Sequence, residues 1–157
     1  MLTKNQSEIL EKCEELEKKI GELYKIFKKQ FPQCGIWEIL ILEEQYHALA
    51  VVKLRQLVKA GKSRIDNGKI TLEAVKRLIA FVDHLAYTAM DEKYTLRQAI
   101  EIGMKVERTI VEANIFKHFT DSPESMHLLK VLNGGMDQHG KLLKDELTKI
   151  LKSLNSR

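Results

Sequence analysis

Five side chains of metal-ligating type fall where a helical pattern calls for apolar residues: Glu17, Glu44, His47, Glu107 and His139. The clearest case is the run Trp37, Leu40, Glu44, His47, Val51, Leu54, Val58, whose alternating steps of three and four mark the inward seam of a helix. A carboxylate at such a step would cost several kcal/mol if nothing satisfied it, whereas a carboxylate with an imidazole one turn on is a ready metal-binding pair. Glu107 repeats the anomaly in the row Leu96, Ile100, Gly103, Glu107, Ile110, Asn114. His139 does so in the row Leu128, Leu132, Gly135, His139, Leu142, Glu146, Ile150. Glu17 shares a face with Cys13, Ile20 and Tyr24. Taken alone it reads as a boundary glutamate leaning toward solvent.

The elements that must carry these residues are helices. The first is expected from Ser7 to Phe31, where Pro32 stops it, and the turn through Gln33, Cys34 and Gly35 is short enough to make the next helix, Trp37 to Val58, its antiparallel neighbour. A polar loop over Lys62 to Lys69 contains Asp66-Asn67-Gly68. Thr71 then caps a third helix to Met90. Thr95 with Gln98 is a capping box opening a fourth helix to His118, and Ser122-Pro123 signals the start of the last, which runs to Leu154. Gly134 and Gly135 each cost about 1 kcal/mol relative to alanine inside that helix, so an irregularity or a close helix approach is expected there. His84 reads as a surface or boundary residue, and His118 is too far along its helix to share a site with Glu107.

Length and composition agree with an all-α chain forming a single domain over residues 1–157. Two prolines and eight glycines among abundant Leu, Ile, Lys and Glu favour long helices. The net charge of +4 comes from 26 basic and 22 acidic residues interspersed along helical faces, which argues against nucleic acid as a partner. No uncharged run approaches the roughly 20 residues of a membrane span, and the N-terminus has no apolar signal core. Cys13 and Cys34 form no CxxC pair, which fits a reducing, cytoplasmic setting.

With Glu17 seven residues before Tyr24, Glu43-Glu44-x-x-His47, a long connection, then Glu107 and His139, most of the chain resembles the ferritin-like superfamily, its rubrerythrin-type branch most closely. The resemblance implies a four-helix bundle whose long connection between the second and third bundle helices carries an extra helix. It also implies two irons held by one Glu from each of two helices and a Glu-x-x-His from each of the others. Carried over, Glu17 and Glu107 are terminal ligands, Glu44 is a bridge, and His47 and His139 are the nitrogen ligands. One position departs from the pattern. Met136 stands three residues before His139 where a second bridging Glu belongs, and Asp137 lies about 200° around the helix from His139. A thioether is a poor ligand for hard iron, so one iron, two or none are all open.

Two functions follow from the resemblance. One is iron binding with oxidation of ferrous iron or reduction of peroxide at a partly degraded di-iron site; the other is a non-catalytic bundle of the same ancestry that acts as a structural or interaction protein. The paired CxxC motifs of a rubredoxin-like module are absent, so redox activity would need an external electron donor. The helix from Thr71 to Met90 carries more apolar residues than one buried stripe requires, including Leu72, Ile79, Phe81 and Tyr87. That surplus predicts a homodimer.

Overall fold

A computed structural model describes residues 3–66, 69–120 and 122–156, with every side chain among them except those of Thr120, Met136 and Asp137. The described residues are mostly helical. Helix α1 is Lys4–Gln30, α2 is Ile36–Lys59, α3 is Leu72–Asp91, α4 is Leu96–Ala113 and α5 is Met126–Asn155. A 3₁₀ turn, Ile115–His118, follows α4.

Local chemistry sets most boundaries where the sequence predicts them. Thr71 caps α3 by accepting from the Ala74 amide, and Thr95 with Gln98 forms the capping box of α4. α1 begins earlier than Ser7, because Thr3 and Gln6 build a capping box there. Two further boundaries differ from expectation. α4 ends at Ala113 rather than His118, since Asn114 turns left-handed at φ 51°, a conformation that asparagine tolerates and that ends the helical ladder. α5 starts at Met126, because Ser122 caps a separate turn, accepting from the Ser125 amide at 3.1 Å. Within the predicted loop, β1, Arg64–Ile65, pairs antiparallel with β2, Phe119–Thr120, matching Ile65 with Phe119, both buried. Asn67 and Gly68 lie outside the described residues.

Pairings between helices give their directions. Glu11 and Glu14 meet Arg55, Glu17 meets His47 and Lys28 meets Glu38, so α2 runs antiparallel to α1. His47 faces Gly135 while Glu43 faces His139, so α5 runs antiparallel to α2. Gly103 faces Leu143 and Glu107 faces His139, which sets α4 against α5. α1 and α5 therefore run one way, α2 and α4 the other. α3 packs on α1, tied by Lys19 to Asp83 at 2.9 Å and by the Gln30 amide to the Ala89 carbonyl at 2.6 Å. Most of its apolar surplus is used within the chain: Ile79 and Ala89 are buried, and Leu72, Phe81 and Ala86 pack against the core.

All seven residues of the α2 seam are buried. Above the polar pair, Trp37 stacks obliquely on Phe27 at 5.0 Å and on Tyr24 at 5.8 Å, making the largest apolar mass of the core. The helix is unbroken through Gly134, Gly135 and position 136. What the glycines provide is a close approach: a Cβ on Gly135 would lie 2.6 Å from Cε1 of His47, whereas one on Gly134 would meet nothing. The side chain of Met136 lies outside the described residues.

Candidate metal centre

All five ligand-type residues point into one polar core between α1, α2, α4 and α5, and each is at most 3 % exposed. Glu17 is fully buried and not a boundary residue, because antiparallel packing on α2 turns it toward His47, whose Nδ1 is 3.6 Å from its Oε2. One helical turn separates Glu44 from His47, and that Nδ1 also lies 3.5 Å from Glu44 Oε2. Glu44 Oε1 approaches Nδ1 of His139 to 2.9 Å, and Glu107 Oε1 stands 3.5 Å from the same nitrogen. The two imidazoles stack at 5.0 Å with an interplanar angle of 20°. Both present Nδ1 to the carboxylates.

Close approach is not the same as pairing. Glu17 Oε1, Glu44 Oε2, His47 Nδ1 and His139 Nδ1 are all buried and lack a hydrogen-bond partner among the described residues; the 2.9 Å approach of Glu44 to His139 is off the line that a hydrogen bond requires. Leaving one such atom unsatisfied costs about 1 to 3 kcal/mol, and native cores rarely hold several together. One ligand atom each from Glu44, His47 and His139 lies within 4.8 Å of the others. Donors around a first-row ion at about 2.1 Å are about 4.2 Å apart at most, so small side-chain movements suffice to close the set on an ion. The orphaned atoms and the donor chemistry fit a metal.

Two residues that the sequence reading left without a ligand role complete the arrangement. Glu43, adjacent to Glu44 and 36 % exposed, bonds Nε2 of His139 across the α2–α5 interface. Tyr24 donates its hydroxyl to Glu107 Oε1. A carboxylate on the far nitrogen of a ligand histidine fixes the tautomer and ring orientation, here freeing the Nδ1 lone pair for the centre. The doublet Glu43-Glu44 was the available sequence signal, but Glu43 lies off the seam and only the fold brings it to His139.

No protein-family model, curated protein or solved structure matches this chain. The centre is therefore read from its own geometry.

Electrostatics shows how the cluster tolerates burial. Burial raises Glu17 to about 8, only partly offset by the His47 imidazole. Burial also pushes Glu107 up and Tyr24 well up. For Glu44, burial acts upward but is outweighed by the nearby imidazoles of His139 and His47, and its carboxyl falls to about 2. Burial alone would lower both histidines, yet Glu17 and Glu44 bring His47 to about 9, and Glu107 and Glu44 bring His139 to about 11. Two imidazolium ions thus partner the carboxylates when protons are the only cations present. A metal ion would replace those protons.

A groove of about 570 Å³ between α2 and α5 ends at His47 and Gly135, walled by Glu43, Tyr46, Lys130 and Gln138. A narrower cavity of about 80 Å³ between α1 and α2 reaches Glu17 and Glu44 beside Gly21. No described helix is long and apolar enough to cross a membrane.

Proposed function

We propose that this chain is a metal-binding helical protein of ferritin-like, rubrerythrin-like type. A first-row transition metal, iron by preference, is held by Glu44, His47 and His139, with Glu17 and Glu107 as the neighbouring carboxylates. The observation that carries the reading is the convergence of four unpartnered buried donor atoms, from Glu17, Glu44, His47 and His139, in one core. The helix directions support it: two helices run one way and two the other, with α3 in the long connection, as a ferritin-like bundle requires. A set of two histidines and one carboxylate suits ferrous iron and also zinc, and iron is preferred here on the ferritin-like resemblance.

In this reading the chain's own groups do four things. Glu43 holds His139 with Nδ1 inward, and Tyr24 fixes Glu107 by its hydroxyl. Gly135 makes room for the His47 ring. The aromatic layer of Tyr24, Phe27 and Trp37 closes one end of the core to water. Bound iron would supply the capacity to exchange electrons with dioxygen or peroxide, and reducing equivalents would come from another protein. Three buried carboxylates against two histidines favour one tightly held ion, with any second ion weaker.

A second reading is favoured by one contact. Tyr24 already satisfies Glu107 without metal, and Met136 replaces a bridging carboxylate, so the bundle could stand as a structural or interaction protein with protons in place of the ion. Thermal melting with and without a chelator separates the two. The metal reading expects a chelator to lower the melting temperature by more than about 5 °C, while an unchanged melt favours the metal-free bundle.

A further inference from the structure

The helix that carries Glu44 and His47 has a second seam on its opposite side. Ile39, Leu42, Tyr46 and Leu49 follow one another at steps of three, four and three, and they are 48, 60, 55 and 60 % exposed. Scattered exposed apolar residues need no explanation, but four large ones in heptad register on one helix form a stripe built to pack lengthwise on another helix. Among the described residues no element covers it.

The flanking charges identify the occupant. Glu38, 64 % exposed, stands at the N-terminal end of the stripe, and Lys53, exposed and one heptad step beyond Leu49, stands at the other. Two copies of α2 laid antiparallel about a two-fold axis between Leu42 and Tyr46 set Ile39 against Leu49 and Leu42 against Tyr46. Each Lys53 then falls within one helical turn of the Glu38 of the other copy, close enough for the two long side chains to pair. A parallel pair would set like charges together. Glu38 also pairs with Lys28 at 3.1 Å, but that exposed contact is weak and does not hold it away from a better partner. A stripe that complements itself in this way is what an isologous dimer requires.

We propose that this chain forms a homodimer through the outer face of α2, with Leu42 and Tyr46 at its centre. None of its residues belongs to the proposed ligand set, though Leu42 and Tyr46 also line the groove that ends at His47. The stripe is about 15 Å long, so the contact belongs with small interfaces and association in the micromolar range.

Sedimentation velocity of the full chain from about 5 to 200 µM tests it. The expected result is a concentration-dependent shift from 18.1 kDa toward twice that mass. Leu42→Glu should hold the protein monomeric throughout, with its helical circular dichroism unchanged. Should that variant unfold, the surface charges carry the test: Glu38→Lys weakens the dimer at least several-fold, and Glu38→Lys combined with Lys53→Glu restores it. A monomer across the whole range overturns the proposal. A dimer indifferent to Leu42→Glu and to the charge reversal overturns it as well, because the contact would then lie elsewhere.

Discussion

The imidazole of His47 rests against Gly135 so closely that a Cβ there would come 2.6 Å from its Cε1 and nearer still to Nε2. The pair defines how near α5 can come to α2 at the candidate centre. It also gives two adjacent glycines opposite predicted behaviours. Gly134→Ala, which meets open space, should stabilise the protein by about 0.5 to 1 kcal/mol through helix propensity. Gly135→Ala should lose that gain, displace His47 and weaken metal binding at least about tenfold. Urea unfolding and metal titration of both variants check the contrast; similar behaviour in the two would show that the close approach has no consequence.

Glu43 acts through His139. Glu43→Gln removes the carboxylate from Nε2 while leaving a side chain of the same shape at a partly exposed position, so the fold should be unaffected. Metal affinity should fall by about 10- to 100-fold, as for other carboxylates behind ligand histidines. Competition against a chelator of known affinity measures this directly, and an affinity within about twofold of wild type would remove Glu43 from the account.

Tyr24→Phe leaves Glu107 without its hydroxyl donor in a dry core. The metal-free protein should lose about 1 to 3 kcal/mol, read from urea denaturation. With metal present the loss should be smaller, because the ion would then stabilise the carboxylate in place of the hydroxyl.

Stability of the metal-free protein should fall as pH rises from 6.5 to 8. Folded His47 and His139, at about 9 and about 11, keep protons that the unfolded chain begins to release near the ordinary value of 6.5. Their contribution is complete below that value and is lost as pH climbs through the folded ones. Glu17, raised to about 8 by burial, likewise keeps a proton that the unfolded chain loses above the ordinary 4.5. The folded state therefore binds more protons than the unfolded state across this window, which gives stability a negative slope with pH. Metal competes with the same protons, so the melting-temperature gain on adding metal should widen over the same range. Melts at pH 6.5 and 8, with and without metal, give both slopes.

Much of this arrangement was legible in the residues alone. Steps of three and four predicted the α2 seam, and the same arithmetic singled out Glu107 and His139 because a polar residue stands out against an apolar row. Glu17 was ambiguous, since a glutamate at the edge of a stripe turns in or out according to the helix packed beside it. Glu43 escaped because its role depends on α5, more than ninety residues away in sequence. Asn114 and Ser122 misled for a related reason. Each has chemistry that a helix or a turn can use, and local context decided for the turn. The exposed stripe on α2 stands behind the inner seam on the same helix, and on α3 the chain buries Ile79 and Ala89 while Tyr87 stays exposed.

Metal analysis after anaerobic loading with ferrous iron and desalting tests the central claim most directly. Wild-type protein should retain about one ion per chain, and His47→Ala, which removes a donor from the core, should reduce that to a small fraction. Retention below about 0.1 ion per chain in the wild type, unchanged by His47→Ala, would contradict a metal centre formed by Glu44, His47 and His139.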